Sequence, residues 1–330
     1  MKAPPDNANE QVTLARVNVY QGRSQQACHL FHAALVSDAA LSPDMFETYL
    51  FAADDITHDK TIRKQALDDF NNYITTTDTD PEELLGCHGY AVDLATTKAE
   101  HVKQLETLLG LSCDTGNEEK ALQYLETYSA GDSLKFNERL RLLSILETAE
   151  SVTVLRSAFN DLRKLLYRFG GSLAQRLIID GLEQLRYLES LIGHVGDTRD
   201  SDTLANELLA STVKSTSSTP AHAPLHHLVI TLVGGRRITQ QRTEALLRQQ
   251  GVADVRCIAT SKEAHVNEKK VRERVAGATA AVLLTDYTGH DLLVHLRNLL
   301  NKGMSFKLIP TRGGPTHILR DVLTQCARSD

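Results

Sequence analysis

The stretch "HHLVITLVGGRRITQQ", residues 226–241, decides the fold of the C-terminal part of the chain. Its apolar run from Leu228 to Val233 is nearly continuous, which is typical of a strand buried on both faces. The run stops at Gly234 and Gly235, two arginines follow, and the next residues have the pattern of a helix start. Anions commonly bind where a strand passes to a helix through glycines, because backbone N–H groups can approach them closely.

Strand-like and helix-like segments alternate from here to the end of the chain. Further apolar runs lie in "VRCIAT", in Ala281 to Thr285 and in "SFKLIPT", and a helical pattern follows each of them. Strands that alternate with helices in this way predict a parallel sheet with helices on both faces. We therefore predict a small α/β domain of the Rossmann-like kind, with four strands, over residues 225–330.

The chain before residue 211 has a helical pattern almost throughout, and we predict an all-α domain over residues 1–210. One spacing recurs in it: Ala27, Phe31 and Ala34; Ala66, Phe70 and Tyr73; Ala121, Leu125 and Tyr128. This spacing resembles the second half of a tetratricopeptide repeat, in which small residues let paired helices pack closely. The copies start 39 and then 55 residues apart, so such an array would be degenerate. An irregular helical bundle is the alternative.

A linker and a difference in charge separate the two predicted domains. Residues 211–224, "STVKSTSSTPAHAP", are rich in Ser, Thr and Pro without an apolar period, which indicates a flexible linker. From Ala221 onward the chain has 16 Lys and Arg against 9 Asp and Glu, or +7, and the remainder has 20 against 33, or −13. Two domains with different partners would explain this split, and drift of surface charge is the alternative.

The composition indicates a globular protein of the cytoplasm. Hydrophobic residues make up 42% and charged residues 24%, which favours neither a disordered chain nor a membrane protein. No apolar run approaches the roughly 18 residues of a membrane span, and the N-terminal "MKAPPDNANEQ" has no apolar signal segment. The five cysteines include no C-x-x-C pair, which argues against a disulfide framework and a structural zinc site.

Small, polar or basic residues follow all four predicted strands. The carboxyl ends of parallel strands meet at one edge of the sheet, where ligands bind in such folds, so we expect these residues to share a site. Backbone amides, arginine side chains and a helix N-terminus all favour an anion such as phosphate. The predicted ligand-binding residues are Gly234, Gly235, Arg236, Arg237, Thr260, Ser261, Asp286, Thr288, His290, Thr311, Arg312, Gly313, Gly314 and Thr316. The alternative is that the glycines only make tight turns and the arginines are solvated.

The sequence identifies neither a cofactor nor a known catalytic motif. "VGGRR" is not the G-x-G-x-x-G of dinucleotide sites, and P-loop, G-x-S-x-G and H-E-x-x-H motifs do not occur. Asp286 and His290 straddle a predicted strand–helix turn, with Asp291 beside them. They are candidate catalytic residues that could form an acid–base pair, a metal site or a haem ligand. Alternatively, Asp291 caps the helix and His290 only orients the loop; we assign no metal ligand.

The C-terminal segment resembles a bacterial family known as domain of unknown function 2325. The resemblance covers residues 228–323 and rests on "VGGRR", "TDYTGHD" and "PTRGGPTHIL". The family has a glycine pair, a strand that ends in Asp with a following His, and a turn of small residues before the last helix. Its members more often have Ser where this chain has Gly289. The resemblance implies a small Rossmann-like fold and supports the position of the site, but it implies no reaction.

Three functions stay open at this point. The first is a sensor or adaptor whose basic domain binds a phosphate-bearing ligand, such as a nucleotide, and whose helical half binds a protein partner. The second is nucleic-acid binding by the basic domain, which the charge favours and the scarcity of aromatic residues there opposes. The third is a hydrolytic, metal or haem protein that uses Asp286 and His290. The leucine-rich helix near residue 182 could also pack within the chain or form a homodimer.

Overall fold

A computed structural model describes residues 7–77, 79–129, 134–193, 204–205, 208, 225–259, 267–284 and 290–326. Its contacts divide the chain into two compact units, Met1–Thr115 and Gly116–Asp330. The chain is mostly helical, and the strands of the described part form one parallel sheet in the second unit, as the sequence predicts. None of the described helices is both long enough and apolar enough to cross a membrane.

The first unit is built from paired helices, and buried residues between Val12 and Leu94 share one hydrophobic core. Its helices are α1 Ala8–Tyr20, α2 Ser24–Val36, α3 Pro43–Asp54, α4 Lys60–Thr76, α5 Leu85–Leu94 and α6 Lys98–Asp114. The turn between α1 and α2 requires Gly22, whose φ of 67° lies in the left-handed region. Several of these helices begin at side chains that accept hydrogen bonds from first-turn N–H groups, for example Ser42, Asp59 and Thr97.

The residues that recur at the repeat-like spacing are core residues in this unit. Ala27, Phe31 and Ala34 of α2 are fully buried, and α4 buries Ala66, Phe70 and Tyr73 in the same way. Aromatic rings fill the space between these helices and α3, including a stacked pair of Phe46 and Tyr73 at 4.3 Å. A repeat and an irregular bundle would both bury these positions, so the resemblance to tetratricopeptide repeats stays a prediction.

The second unit begins with four helices: α7 Glu118–Ser129, α8 Phe136–Ile145, α9 Val152–Phe169 and α10 Gln175–Ile192. The leucine seam of α10 lies inside this unit, where Ile178, Leu182, Leu185 and Leu188 are buried. A short 3-10 turn, Leu146–Thr148, connects α8 to the start of α9. The start of α9 is closed by a distant carboxylate, because both oxygens of Glu118 accept backbone N–H groups, from Glu150 and Ser151, at 2.7 Å.

The same unit contains the parallel sheet. Its strands are β1 Val229–Val233, β2 Asp254–Ile258, β3 Ala280–Leu284 and β4 Lys307–Thr311, in the order β2-β1-β3-β4. Helices follow the strands: α11 Arg237–Gln249, α12 Glu268–Val275, α13 His290–Asn301 and α14 Pro315–Cys326. Helices α11 and α14 share one hydrophobic core with one face of the sheet, and α12 and α13 share another with the opposite face. The predicted linker, residues 211–224, lies outside the described residues.

Candidate functional site

The strand order places one crevice at the centre of the sheet. From β1 the chain proceeds outward to β2 on one side, and from β3 it proceeds outward to β4 on the other. After β1 and β3 the chain therefore continues toward opposite edges of the sheet. These two strands are neighbours, paired from Ile230 with Ala280 to Val233 with Leu283. Ligands of open α/β sheets bind at such a switch point. The predicted residues after β1 lie there, and those after β4 lie two strands away, at roughly 10 Å.

The two glycines after β1 have different tasks. Gly234 and Gly235 are both buried, with φ values of 74° and 77° in the left-handed region. The N–H of Gly234 donates to the carbonyl oxygen of Ile258 at 3.0 Å, so it is part of the contact with β2 and does not point to a ligand. The Gln240 amide holds the same turn, because its Nε2 donates to the carbonyl oxygens of Gly234 and Ile258.

Gly235 is needed for the close approach of β3. A Cβ at this position would lie 2.5 Å from Cδ1 of Leu284, the last residue of β3. Any side chain here would push β3 and the turn after β1 apart, and it would also be strained at this positive φ. The glycine pair is therefore needed mainly for the packing of the turn. Of its two N–H groups, only that of Gly235 is a candidate donor to a ligand.

Helix α11 begins directly after these glycines with arginine at its first positions. Arg236 is the N-cap residue and Arg237 is the first helical residue; Arg236 is half-buried and Arg237 is exposed. Arginine has no acceptor atom, so the N-cap side chain cannot accept a hydrogen bond from the first turn as Ser or Asp would. The positive end of the helix dipole and two arginine residues therefore lie together at the switch point.

The residues after β4 contact other parts of the second unit. The hydroxyl of Thr311 donates to Oδ2 of Asp321, 2.5 Å away within α14. Arg312 and Gly313 are half-buried, and Gly313 has a φ of 101°. The helix that follows, α14, starts against α8 and the 3-10 turn.

A buried carboxylate closes the N-terminus of α14. Glu147, in the 3-10 turn, accepts the N–H of Thr316 at 3.0 Å and its hydroxyl at 2.6 Å, one on each oxygen. Ser144 Oγ accepts the N–H of Gly314 at 3.1 Å. Glu147 is fully buried and Thr316 is 7% exposed, so an anion from solution does not reach this helix end in the described conformation.

Burial makes the carboxylate of Glu147 a weak acid. Desolvation raises its pKa to about 8, although the hydrogen bonds from Thr316 and the nearby charges of Arg320 and Arg242 act in the opposite direction. The Arg242 guanidinium donates to the backbone carbonyls of Glu147 and Ala149, at 3.0 Å for Ala149, so it holds the turn rather than pairing with the carboxylate. The α14 helix is also tied to α10 by an ion pair between Arg320 and Asp180, at 3.3 Å.

We call the contact of the start of α14 with α8 and the 3-10 turn the junction. Gly314, the second glycine after β4, is required there. A Cβ on Gly314 would lie 1.5 Å from the carbonyl oxygen of Ser144, which is a backbone atom at the C-terminal end of α8. The φ of Gly314 is not in the left-handed region. The glycine is therefore needed for space alone, because the backbone of the helical segment passes directly over it.

The remaining predicted residues lie in segments that the structure does not describe. Thr260 and Ser261 follow β2, and Asp286 and Thr288 follow β3; all four fall outside the described residues. His290 is the first residue of α13, but its side chain is not described. The hypothesis of chemistry at Asp286 and His290 stays a prediction.

Sequence reasoning missed the residues that organise the junction. Ser144, Glu147, Arg242 and Gln240 were not singled out. One signal was present, since Glu147 is the single charged residue of the buried stretch "LLSILETA", residues 142–149. A carboxylate in such a position needs internal hydrogen-bond donors, although the sequence does not say which ones.

Comparisons with known proteins found no matching family model, curated protein or solved structure. The resemblance of residues 228–323 to domain of unknown function 2325 therefore stays a prediction. Within the part of the chain that the structure describes, no three His, Cys, Asp or Glu side chains are grouped as a metal site.

Proposed function

We propose that the chain is a ligand-responsive adaptor. Its α/β part, which we take to be Rossmann-like, binds a phosphate-bearing small molecule, and its helical part binds a protein partner. The observation that carries the proposal is the start of α11, where a glycine turn, an exposed arginine and a helix N-terminus without a capping hydrogen bond from its N-cap side chain lie at the switch point of the sheet.

The phosphate group would lie over the first turn of α11. The N–H groups of a first helical turn have no partner within the helix, so they can donate to phosphate oxygens. The Arg237 guanidinium adds a bidentate donor, and the glycines before it leave room for the ligand to approach the backbone. Nucleotides are the first class to test, because they carry phosphate groups and commonly bind at the switch point of an open α/β sheet.

The proposal is tested by thermal unfolding with inorganic phosphate, pyrophosphate and purine and pyrimidine nucleotides. A ligand at about 100 times its Kd stabilises the folded chain by roughly 2.7 kcal/mol, so binding raises the melting temperature. We expect the double substitution Arg236→Gln and Arg237→Gln to weaken this binding about ten-fold or more. Arg297→Gln is the matched control, because Arg297 is an exposed arginine about two helical turns after the start of α13.

Two results would contradict the proposal. One is that no phosphate-bearing compound raises the melting temperature. The other is that the double variant and the Arg297→Gln control bind equally well. A different result would instead favour nucleic-acid binding by the basic residues after Ala221. In that case DNA or RNA would raise the melting temperature, small phosphates would not, and the increase would disappear at high salt.

A further inference from the structure

The first unit is strongly acidic. Residues 1–115 contain 8 Lys and Arg against 18 Asp and Glu, a net charge of −10, although the whole chain has a net charge of only −6. Residues 116–330 then have 28 against 24, a net charge of +4. The excess of negative charge is therefore a property of the helical unit formed by α1–α6.

This unit carries a groove of about 450 Å³ between the end of α2, the turn after it and α4. The groove is partly apolar, with the half-buried Leu35 and the buried Leu41 among its lining residues, and Val36 at its side is 73% exposed. We call this surface the α2–α4 groove. It has room for side chains of a bound segment and offers them both apolar and polar contacts.

Two carboxylates lie in the α2–α4 groove. Asp38 is exposed in the turn after α2, and Asp69 is a residue of α4. Asp69 is held in place, because its Oδ2 accepts the Tyr49 hydroxyl at 2.9 Å and lies 2.9 Å from His32 Nδ1, and its Oδ1 accepts the Gln65 amide at 3.1 Å. Among the described residues that line the groove there is no Lys or Arg.

The backbone adds negative potential at the same place. Helix α2 ends at Val36 and α4 ends at Thr76, and both ends line the groove. The C-terminus of a helix carries a partial negative charge, which a Lys or Arg in the last turn usually offsets. Neither α2 nor α4 has a basic residue in its last turn. Two helix ends and two carboxylates therefore combine in one groove.

We propose that the α2–α4 groove is the docking site for a basic segment of a partner protein, with Lys or Arg side chains beside a small apolar residue. The cationic groups contact Asp38 and the helix ends, and the apolar residue packs on Val36 and Leu35. Charge complementarity of this kind raises the association rate and selects the partner. The inference rests on the adaptor role proposed above and gives the chemistry of the partner.

The test is fluorescence anisotropy of a labelled peptide in which Arg alternates with Leu, titrated with the full chain at low and at high salt. A peptide with Glu in place of Arg is the control. We expect the basic peptide to bind and the acidic one not to bind, with weaker binding at high salt. Asp38→Asn should weaken binding about five-fold without strain, since Asn tolerates the left-handed φ of 60° at this residue.

A second pair of variants separates the groove from the overall charge. Asn72→Lys places a cation on the exposed side of the groove and should weaken binding about ten-fold. Glu83→Lys changes the net charge twice as much at an exposed residue that does not line the groove, and it should have the smaller effect. Circular dichroism of each variant checks that the helices are intact.

Three outcomes would overturn the inference: no binding of the basic peptide at low salt, equal binding of the acidic peptide, or a larger effect of Glu83→Lys than of Asn72→Lys. The result is independent of the phosphate ligand. Melting shifts with phosphate compounds report on Arg237 and α11, and they should be the same in Asp38→Asn as in the unmodified chain, so each proposal can fail alone.

Discussion

Helices α11 and α14 pack on the same face of the sheet and both begin after a strand and a glycine pair, but their N-termini differ. The first turn of α14 is closed from within the chain, because Glu147 and Ser144 accept N–H groups there. The first turn of α11 begins at an arginine, which cannot accept a hydrogen bond. One helix N-terminus therefore joins the helical segment to the sheet, and the other is the candidate for binding an anion.

A glycine pair before a helix can therefore have different structural roles. Position 314 requires glycine because the Ser144 carbonyl lies against it, and position 235 requires glycine because Leu284 packs against it. Glu118, which accepts two N–H groups at the start of α9, shows that this chain closes helix ends with distant carboxylates more than once. What decides the function of a helix N-terminus is the group that lies over it.

The largest effect is expected from Gly314→Ala. The added Cβ would lie 1.5 Å from a backbone oxygen, so the helical segment would have to move away from α14. We expect the free energy of unfolding of the second unit to fall by more than about 3 kcal/mol, measured by urea denaturation. Gly89→Ala in α5 is the control, because a Cβ there meets nothing within 4 Å and helix propensity favours Ala. Equal effects of the two substitutions would contradict the described junction.

The pH dependence of Glu147 gives the next largest effect. Its folded pKa of about 8 is above the ordinary 4.5, so the folded chain binds more protons than the unfolded chain between these values. The stability that Glu147 contributes is therefore full below about pH 4.5 and is lost as the pH rises through 8. Gln at this position resembles the protonated form, since its oxygen can accept the Thr316 N–H and its amide can donate to the hydroxyl.

The Glu147→Gln variant should therefore be close to the unmodified chain at pH 5.5 and more stable at pH 9, by about 1 to 3 kcal/mol. Urea unfolding of both proteins at the two pH values measures the difference in their free energies of unfolding. Because the two proteins share all other titrating groups, the contribution of those groups cancels in this difference. If the difference in stability does not change with pH, the carboxylate is not buried as described.

A smaller loss is expected from Arg242→Met. Methionine keeps much of the apolar stem but removes the donor to the carbonyls of Glu147 and Ala149. We expect a loss of about 2 kcal/mol in the free energy of unfolding, because two largely buried acceptors are left without this partner. Arg297→Met, at an exposed residue of α13, is the control and should cost less than about 0.5 kcal/mol. Similar losses of stability for both variants would mean that the Arg242 hydrogen bonds do not stabilise the junction.

The smallest effect on stability is expected at the N-terminus of α11. Arg237 is exposed, so Arg237→Gln should change the free energy of unfolding by less than about 0.5 kcal/mol. The same variant should weaken the binding of a phosphate-bearing ligand, which isothermal titration measures. A loss of stability as large as that of Arg242→Met would mean that Arg237 has a structural task and would break the contrast between α11 and α14.

The sheet could be predicted from the sequence because each strand is a short apolar run between helical patterns. The run from Leu228 to Val233 became β1, and the runs that contain Val255, Val282 and Ile309 became β2, β3 and β4. Periodicity reports which residues are buried, and parallel strands are buried on both faces. It does not report which helices pack together, so it could not show that α7–α10 form one compact unit with the sheet.

The candidate site could be predicted only in part. The strand ends follow from the fold, and Gly235, Arg236 and Arg237 lie at the end of β1, as predicted. The position of this end at the switch point depends on the strand order, which the sequence does not give. The partner of α14 could not be predicted, because Glu147 is 169 residues from Thr316 along the chain and their contact depends on tertiary packing. A local pattern such as Gly-Gly before a helix contains no information about such a distant acceptor.

We propose that anions bind at the start of α11 and not at the start of α14. Backbone amide NMR of the ¹⁵N-labelled chain, titrated with the phosphate compound that gives the largest melting shift, tests this proposal. We expect shifts of the amides from Gly235 to Thr239 with little change from Gly314 to Thr316. Shifts centred on Gly314 to Thr316, or no shift at α11 at saturating ligand, would contradict it.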